Sequence, residues 1–155
     1  MSYHTIAYSN KLALPLRKEL ERIFFFNLNQ SSHLDKIQKT IESDGLISII
    51  EEKDHLKLQF EKSETESLFA LDSEKNDAAL LGVICYKFQK EKCHILHIAV
   101  DPDCATKGHF ESELLTYRLI EKVRKIAVNK RVESLVLPYT GKEIKIKQKI
   151  IDILE

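Results

Sequence analysis

Residues 93–127 read CHILHIAVDPDCATKGHFESELLTYRLIEKVRKIA, and the fold turns on how this stretch is read. Ile95, Leu96, Ile98, Ala99 and Val100 make a short apolar run rich in β-branched residues, and Asp101-Pro102 stops it, which predicts a buried strand. Leu115, Leu119, Val123, Ile126 and Ala127 then recur at three- and four-residue steps. That stripe predicts a long amphipathic helix laid against a sheet. Between them lies a loop containing Lys107-Gly108. Strand, glycine loop and helix in that order have a chemical consequence. The first turn of such a helix carries unpaired backbone N–H groups and the positive end of the helix dipole, a favourable place for a phosphate or pyrophosphate.

An apolar strand ending in V-x-P, a loop with Arg or Gln before Gly-x-Gly-x-Gly/Ala, and a helix starting x-x-Leu form the acetyl-CoA-binding motif of the GNAT acyltransferase superfamily. The stretch resembles that motif. Two alignments can be drawn. Counting forward from Pro102 sets Ala105 and Thr106 on the motif's Arg-Gly and keeps only Gly108 as a glycine. Counting back from Leu115 sets Lys107-Gly108 on Arg-Gly, Phe110 on the second glycine and Ser112 on the third, small position. The second needs a loop two residues longer, retains a cation, a glycine and a small residue in their places, and is preferred. It departs from the motif at Phe110, whose benzyl group stands where a glycine lets the backbone approach a pyrophosphate. Glu111 and Glu113 suit the helix dipole and repel a bound anion.

Composition sets the broad class. The 155 residues suffice for a single domain over 1–155 with one core. A 43% hydrophobic and 31% charged make-up is that of an ordinary globular protein. No apolar run approaches the roughly 20 residues of a membrane span, and the opening MSYHTIAYSN lacks a basic-then-apolar leader, so a cytoplasmic protein without membrane attachment is expected. Formal net charge is zero, which argues against a general nucleic-acid binder. Residues 1–106 carry 13 Lys and Arg against 17 Asp and Glu, net −4, and residues 107–155 carry 11 against 7, net +4. A basic second half suits an anionic cofactor and equally a solvated lysine-rich helix surface. Cys85, Cys93 and Cys104 are odd in number and form no C-x-x-C, so reduced thiols are expected. A metal set of Cys93, His97, Cys104 and His109 can be drawn, but its spacing fits no zinc pattern, and no metal is expected.

Taken in order, Tyr3 to Tyr8 predicts an edge strand. Leu12 to Phe26 predicts a helix with Pro15 in its first turn, followed by an aromatic cluster, Phe24 to Phe26. Leu34, Ile37 and Ile41, between candidate caps Ser31 and Ser32 and the stop Asp44-Gly45, predict a second helix. Leu46 to Ile50 and the alternating Leu56, Leu58 and Phe60 predict a hairpin turning at Glu51 to His55. Leu68 to Leu71 reads as a short strand, Leu80 to Phe88 as a strong one, and Val132 to Leu137 as a strand after the central helix. Glu143 to Leu154 has Ile146, Ile150, Ile153 and Leu154 at helical steps, although Ile144 and Ile146 alternate as a strand would; a helix is expected. The fold class is therefore α/β of the α+β type. The order of elements resembles the GNAT fold, which implies a mixed and mostly antiparallel central sheet flanked by helices, here with a shortened C-terminus where family members add two strands. An unfinished sheet edge is a natural seam for a homodimer.

The resemblance implies acetyl-CoA as substrate and transfer of its acetyl group to a primary amine, the acceptor itself carrying no motif. In enzymes of that family backbone groups of the motif strand hold the pantetheine, and the matching residues are Ile98, Ala99 and Val100. Lys107, Gly108, His109, Phe110 and Ser112 match the pyrophosphate loop. Some members carry a general base early on the strand, near His94, and a histidine can take a proton near neutral pH. His97, three along, is expected on the other face of an ideal strand. Many members use a tyrosine as acid on a helix after the fifth strand; none lies between Gly141 and Glu155, and Tyr139 is nearest. The reading of a different class is a GNAT-like domain that has lost catalysis and serves as a binding or interaction module.

Overall fold

The computed structural model describes residues 6–25, 45, 47–72, 79–101, 112–137 and 142–146. Strands β1 (Ile6–Ser9), β5 (Glu66–Asp72), β6 (Ala79–Gln89), β7 (Lys92–Val100), β8 (Ser134–Val136) and β9 (Glu143–Lys145) form a sheet in the order β1-β5-β6-β7-β8-β9. Strands β2 (Leu12–Ala13), β3 (Ile47–Glu52) and β4 (His55–Phe60) form a second sheet in the order β2-β4-β3. Every pairing is antiparallel except β7 with β8. Helix α1 (Arg17–Phe25) lies between β2 and β3 in the chain, and α2 (Ser112–Asn129) forms the crossover between β7 and β8. A parallel pair needs such a crossover, because a hairpin cannot return the chain in the same direction. The expected α+β class with a mostly antiparallel sheet is the one observed.

Each face of the large sheet buries a separate cluster. On one, the α2 stripe of Leu115, Leu119, Val123 and Ala127 packs on Leu68, Ala70, Ile84, Ile95 and Val100. On the other, Leu20 and Ile23 of α1 and Leu56, Leu58 and Phe60 of β4 cover Phe69, Val83, Cys85, Leu96 and Ala99. β6 lies between both clusters, and LLGVICY is buried throughout instead of alternating. β4 touches one cluster only, and its burial alternates as HLKLQF predicts.

Three expectations need correction. The helix expected from Leu12 begins at Arg17: Leu12 pairs with Leu56 in β2, and Pro15 sits in a short 3-10 turn, Leu14–Leu16. The strand expected at Leu68 to Leu71 runs from Glu66 to Asp72. The helix expected from Glu143 begins instead as β9, which pairs antiparallel with β8 and buries Ile144. Ile146 is buried next to it, and the helical steps at Ile150, Ile153 and Leu154 lie outside the described residues. The pairing is locked from three sides: Leu137 N–H bonds the Lys142 carbonyl at 2.8 Å, Ile146 N–H bonds the Glu133 carbonyl at 3.1 Å, and Arg124 of α2 donates to the Ile146 carbonyl at 2.7 Å. The expected strand at Tyr3 spans Ile6–Ser9 among the described residues, and the expected helix around Leu34 to Ile41 lies outside them.

Candidate functional site

The edge of β7 is the feature that organises the site. β8 pairs with β7 over Lys92, His94 and the residue between them only. After Val136 the chain turns back into β9, and Leu137 bonds Lys142. From Ile95 to Val100, no strand among the described residues pairs with this edge of β7. The opposite edge is held by β6 throughout.

The ladder with β6 fixes which backbone groups meet the open edge. Asp101 N–H bonds the Leu81 carbonyl at 2.8 Å, one register step beyond Val100 opposite Gly82. Hydrogen-bonded positions alternate along an antiparallel pair. The Ala99 and His97 backbones are therefore directed at Val83 and Cys85 of β6, and those of Ile98 and Val100 are directed away from β6. Ile98 thus offers an N–H donor and a C=O acceptor along the open edge, two residues before the end of the strand.

A β-bulge decides where the histidines stand. Cys85 lies opposite His97 and Tyr86 opposite Ile95, so Leu96 is an extra residue on β7. The bulge reverses the side-chain alternation. His94 pairs across to Lys87, His97 to Cys85 of the α1-side cluster, and both histidines occupy the face away from α2. The expectation that His97 points to the opposite face is corrected by this one inserted residue. The two differ in access. His97 is 4% exposed, and burial lowers its pKa to about 4. It is neutral at physiological pH and shut away from solvent. His94 is half-buried.

A cavity of about 780 Å3 opens beside Lys87, between β4 and the link into β5, and contains lysine and glutamate side chains, among them Lys57, Lys62, Glu61 and Glu64. Lys87 donates to Ser63 at 3.5 Å. Because Lys87 is the cross-strand neighbour of His94, this polar cavity adjoins the histidine's position on the sheet.

Of the residues singled out from sequence, His94, Ile98, Ala99 and Val100 share β7, and Ser112 begins α2. Lys107, Gly108, His109, Phe110 and Tyr139 lie outside the described residues. Among the described residues, no three His, Cys, Asp or Glu side chains converge on a metal site. None of the described helices is long and apolar enough to cross a membrane.

Two features at this end of β7 escaped the sequence reading. One is the Leu96 bulge, for which ILHIAV carries no glycine or turn residue as a signal. The other is an ion pair between Arg22 of α1 and buried Asp101, 3.1 Å apart and 79 positions distant in sequence. Asp101 before Pro102 reads as a strand stop, and nothing local to Arg22 marks it as its partner.

No protein-family model matches this chain, and no curated protein matches it. Among solved structures, the chain is similar to the crystal structure of nourseothricin acetyltransferase, with a TM-score of 0.45 and 12% identity, over 85% of this chain and 72% of that one. At that score and identity the likeness is one of outline and gives no information about the site.

Proposed function

We propose that the chain is an acetyl-CoA-dependent N-acyltransferase that moves an acetyl group to a primary amine. The observation that carries this reading is the opened edge of β7. A strand whose partner leaves after three residues, and whose Ile98 backbone groups face away from β6 along that edge, offers a slot for an extended ligand bearing amides. Pantetheine is such a ligand, and amides add to a strand edge by the same hydrogen bonds as a further strand. The sequence supports the other end: Lys107, Gly108, His109, Phe110 and Ser112 would meet the pyrophosphate before α2.

In the reaction the amine nitrogen attacks the thioester carbonyl, the C–S bond breaks, and the coenzyme leaves as a thiolate that takes up a proton. The attacking nitrogen must first be neutral, and His94 is the side chain on β7 with the chemistry to take that proton. Tyr139 is the proposed source of the proton for the thiolate. The polar cavity beside Lys87 is the proposed route for the acceptor.

Titration with acetyl-CoA and free CoA, followed by thermal shift, tests the reading. A ligand that binds only the native state raises its stability by about 2.7 kcal/mol at one hundred times its dissociation constant. Gly108→Asp should abolish the shift without lowering the melting temperature of the ligand-free protein. A shift of full size in that variant would mean that the pyrophosphate lies elsewhere.

A binding module without turnover is the second reading, and Phe110, Glu111 and Glu113 are the observation that favours it. Phe110→Gly removes the side chain that replaces the motif's glycine. In the module reading the natural chain shows no binding and the variant gains it. No gain in the variant would mean that Phe110 is not what blocks the site.

A further inference from the structure

Asp101 closes β7, and its side chain is 2% exposed, a carboxylate set into the interior. Arg22 reaches it with both terminal nitrogens, Nη2 to Oδ2 at 3.1 Å and Nη1 to Oδ1 at 3.5 Å. Glu19, one turn earlier on α1, accepts from the same Nη2 at 3.1 Å and aims the guanidinium. Bonding to Asp101 raises the Arg22 pKa further above its ordinary value, so the cation is permanent.

Asp101 is buried but the Arg22 side chain is 40% exposed, and such a half-exposed ion pair is a weak source of net stability. What the fork of a guanidinium on a carboxylate supplies is a single geometry, because two parallel bonds fix both distance and rotation. Here that geometry joins two parts of the proposed site. Asp101 is one residue past Val100 and three past Ile98, and it precedes Lys107 by six positions in the sequence. Helix α1 packs on β6 and β7, with Leu20 and Ile23 in the cluster that holds Leu96 and Ala99, on the face carrying His94 and His97.

We propose that Arg22 and Asp101 are a positioning pair, which fixes the end of β7 against α1 so that the open edge at Ile98 and the His94 face stand in one relation before a CoA thioester arrives. The ligand in this inference rests on the acyltransferase reading, whereas the positioning does not.

The test uses the double variant Arg22→Met/Asp101→Leu, which removes both charges and keeps apolar volume, with Arg22→Lys as the conservative single variant. Hydrogen exchange is read at the amides of Asp101 and Ala99, with Ile84 in the middle of β6 as the internal reference, in the absence of ligand. Acetyl-CoA affinity is then read by calorimetry. The expected result is exchange at least about tenfold faster at Asp101 with Ile84 unchanged, and acetyl-CoA bound at least about tenfold more weakly by a protein that is still folded. Arg22→Lys, which keeps the charge and loses the fork, should show the same faster exchange to a smaller degree. Natural exchange rates at Asp101 in both variants would overturn the positioning role, as would faster exchange with undiminished affinity. Faster exchange in the variants, together with no acetyl-CoA binding by the natural chain, would sustain the positioning and overturn the acyltransferase reading. If the double variant fails to fold, Arg22→Lys decides by the same two readings.

Discussion

His97 shows how far a single side chain can be read before its surroundings are known. Its spacing from His94 places it on the opposite face of an ideal strand, and the Leu96 bulge returns it to the same face and buries it. Burial also gives it a pH signature. With its pKa lowered to about 4 against an ordinary 6.5, the native imidazole refuses a proton that the unfolded chain accepts. Stability is therefore full above about pH 6.5 and falls as pH drops towards 4, which is the sign for a base whose native pKa is depressed. Replacing it by leucine should reduce the loss of unfolding free energy between pH 7 and pH 5 by about 2 kcal/mol, measured by urea titration at both values. An unchanged pH slope in His97→Leu would mean that the imidazole is accessible in the native state. Cys85 and Cys93 are read more easily: burial pushes both thiols up to about 12. In a Cys104→Ser background, neither should react with a thiol reagent until the protein is unfolded; rapid native labelling would contradict the burial.

At the scale of elements, the long periodic segments were legible and the short ones were not. The α2 stripe was identified residue by residue, because Leu115, Leu119, Val123 and Ala127 all face the same cluster. β9 was misread, since three residues hold too little periodicity to set against the helical steps that follow them. Its strand identity comes from β8 and from Arg124, neither of which is local to it. One glycine governs how closely α2 approaches the sheet. A Cβ at Gly82 would stand 3.0 Å from Val100 Cγ1, 3.1 Å from the Ala99 carbonyl oxygen and 3.4 Å from Leu115 Cδ2. Gly82→Ala should therefore destabilise the fold by about 1–3 kcal/mol through overpacking at the β6–β7–α2 junction, as read by denaturant unfolding. A neutral or stabilising effect would show that the junction has room to spare. The β6–β7 turn makes the opposite prediction. Lys90 has φ 58°, a conformation that costs a side-chain-bearing residue about 1 kcal/mol. Lys90→Gly should recover part of that, and loss of stability would contradict the turn's conformation.

For the whole molecule, the order of elements carried most of the fold, and the pairing of strands carried the candidate site. A hairpin, three further strands, a helix and a parallel return were each marked by a change of period along the chain. That β8 leaves β7 after three residues is marked nowhere in the sequence, because it depends on where a distant strand stops. The same holds for Arg22 and Asp101, whose meeting follows from α1 packing on one end of β7. Lys107-Gly108 lies outside the described residues, and the strand holding Ile98, Ala99 and Val100 was legible, whereas which of its backbone groups meet the open edge depends on the sheet. The central claim is that those backbone groups bind the ligand, and proline at position 98 isolates them. Proline removes the Ile98 N–H directed to the open edge and leaves the ladder to β6 intact, a kind of strand position where it is tolerated. Ile98→Ala removes the side chain and keeps the N–H. The deciding measurement is calorimetric titration of the natural chain and both variants with acetyl-CoA. The account predicts one-to-one binding by the natural chain, similar affinity for Ile98→Ala, and affinity at least about tenfold weaker for a folded Ile98→Pro. No heat from the natural chain at millimolar acetyl-CoA, or equal affinity in all three, would contradict it.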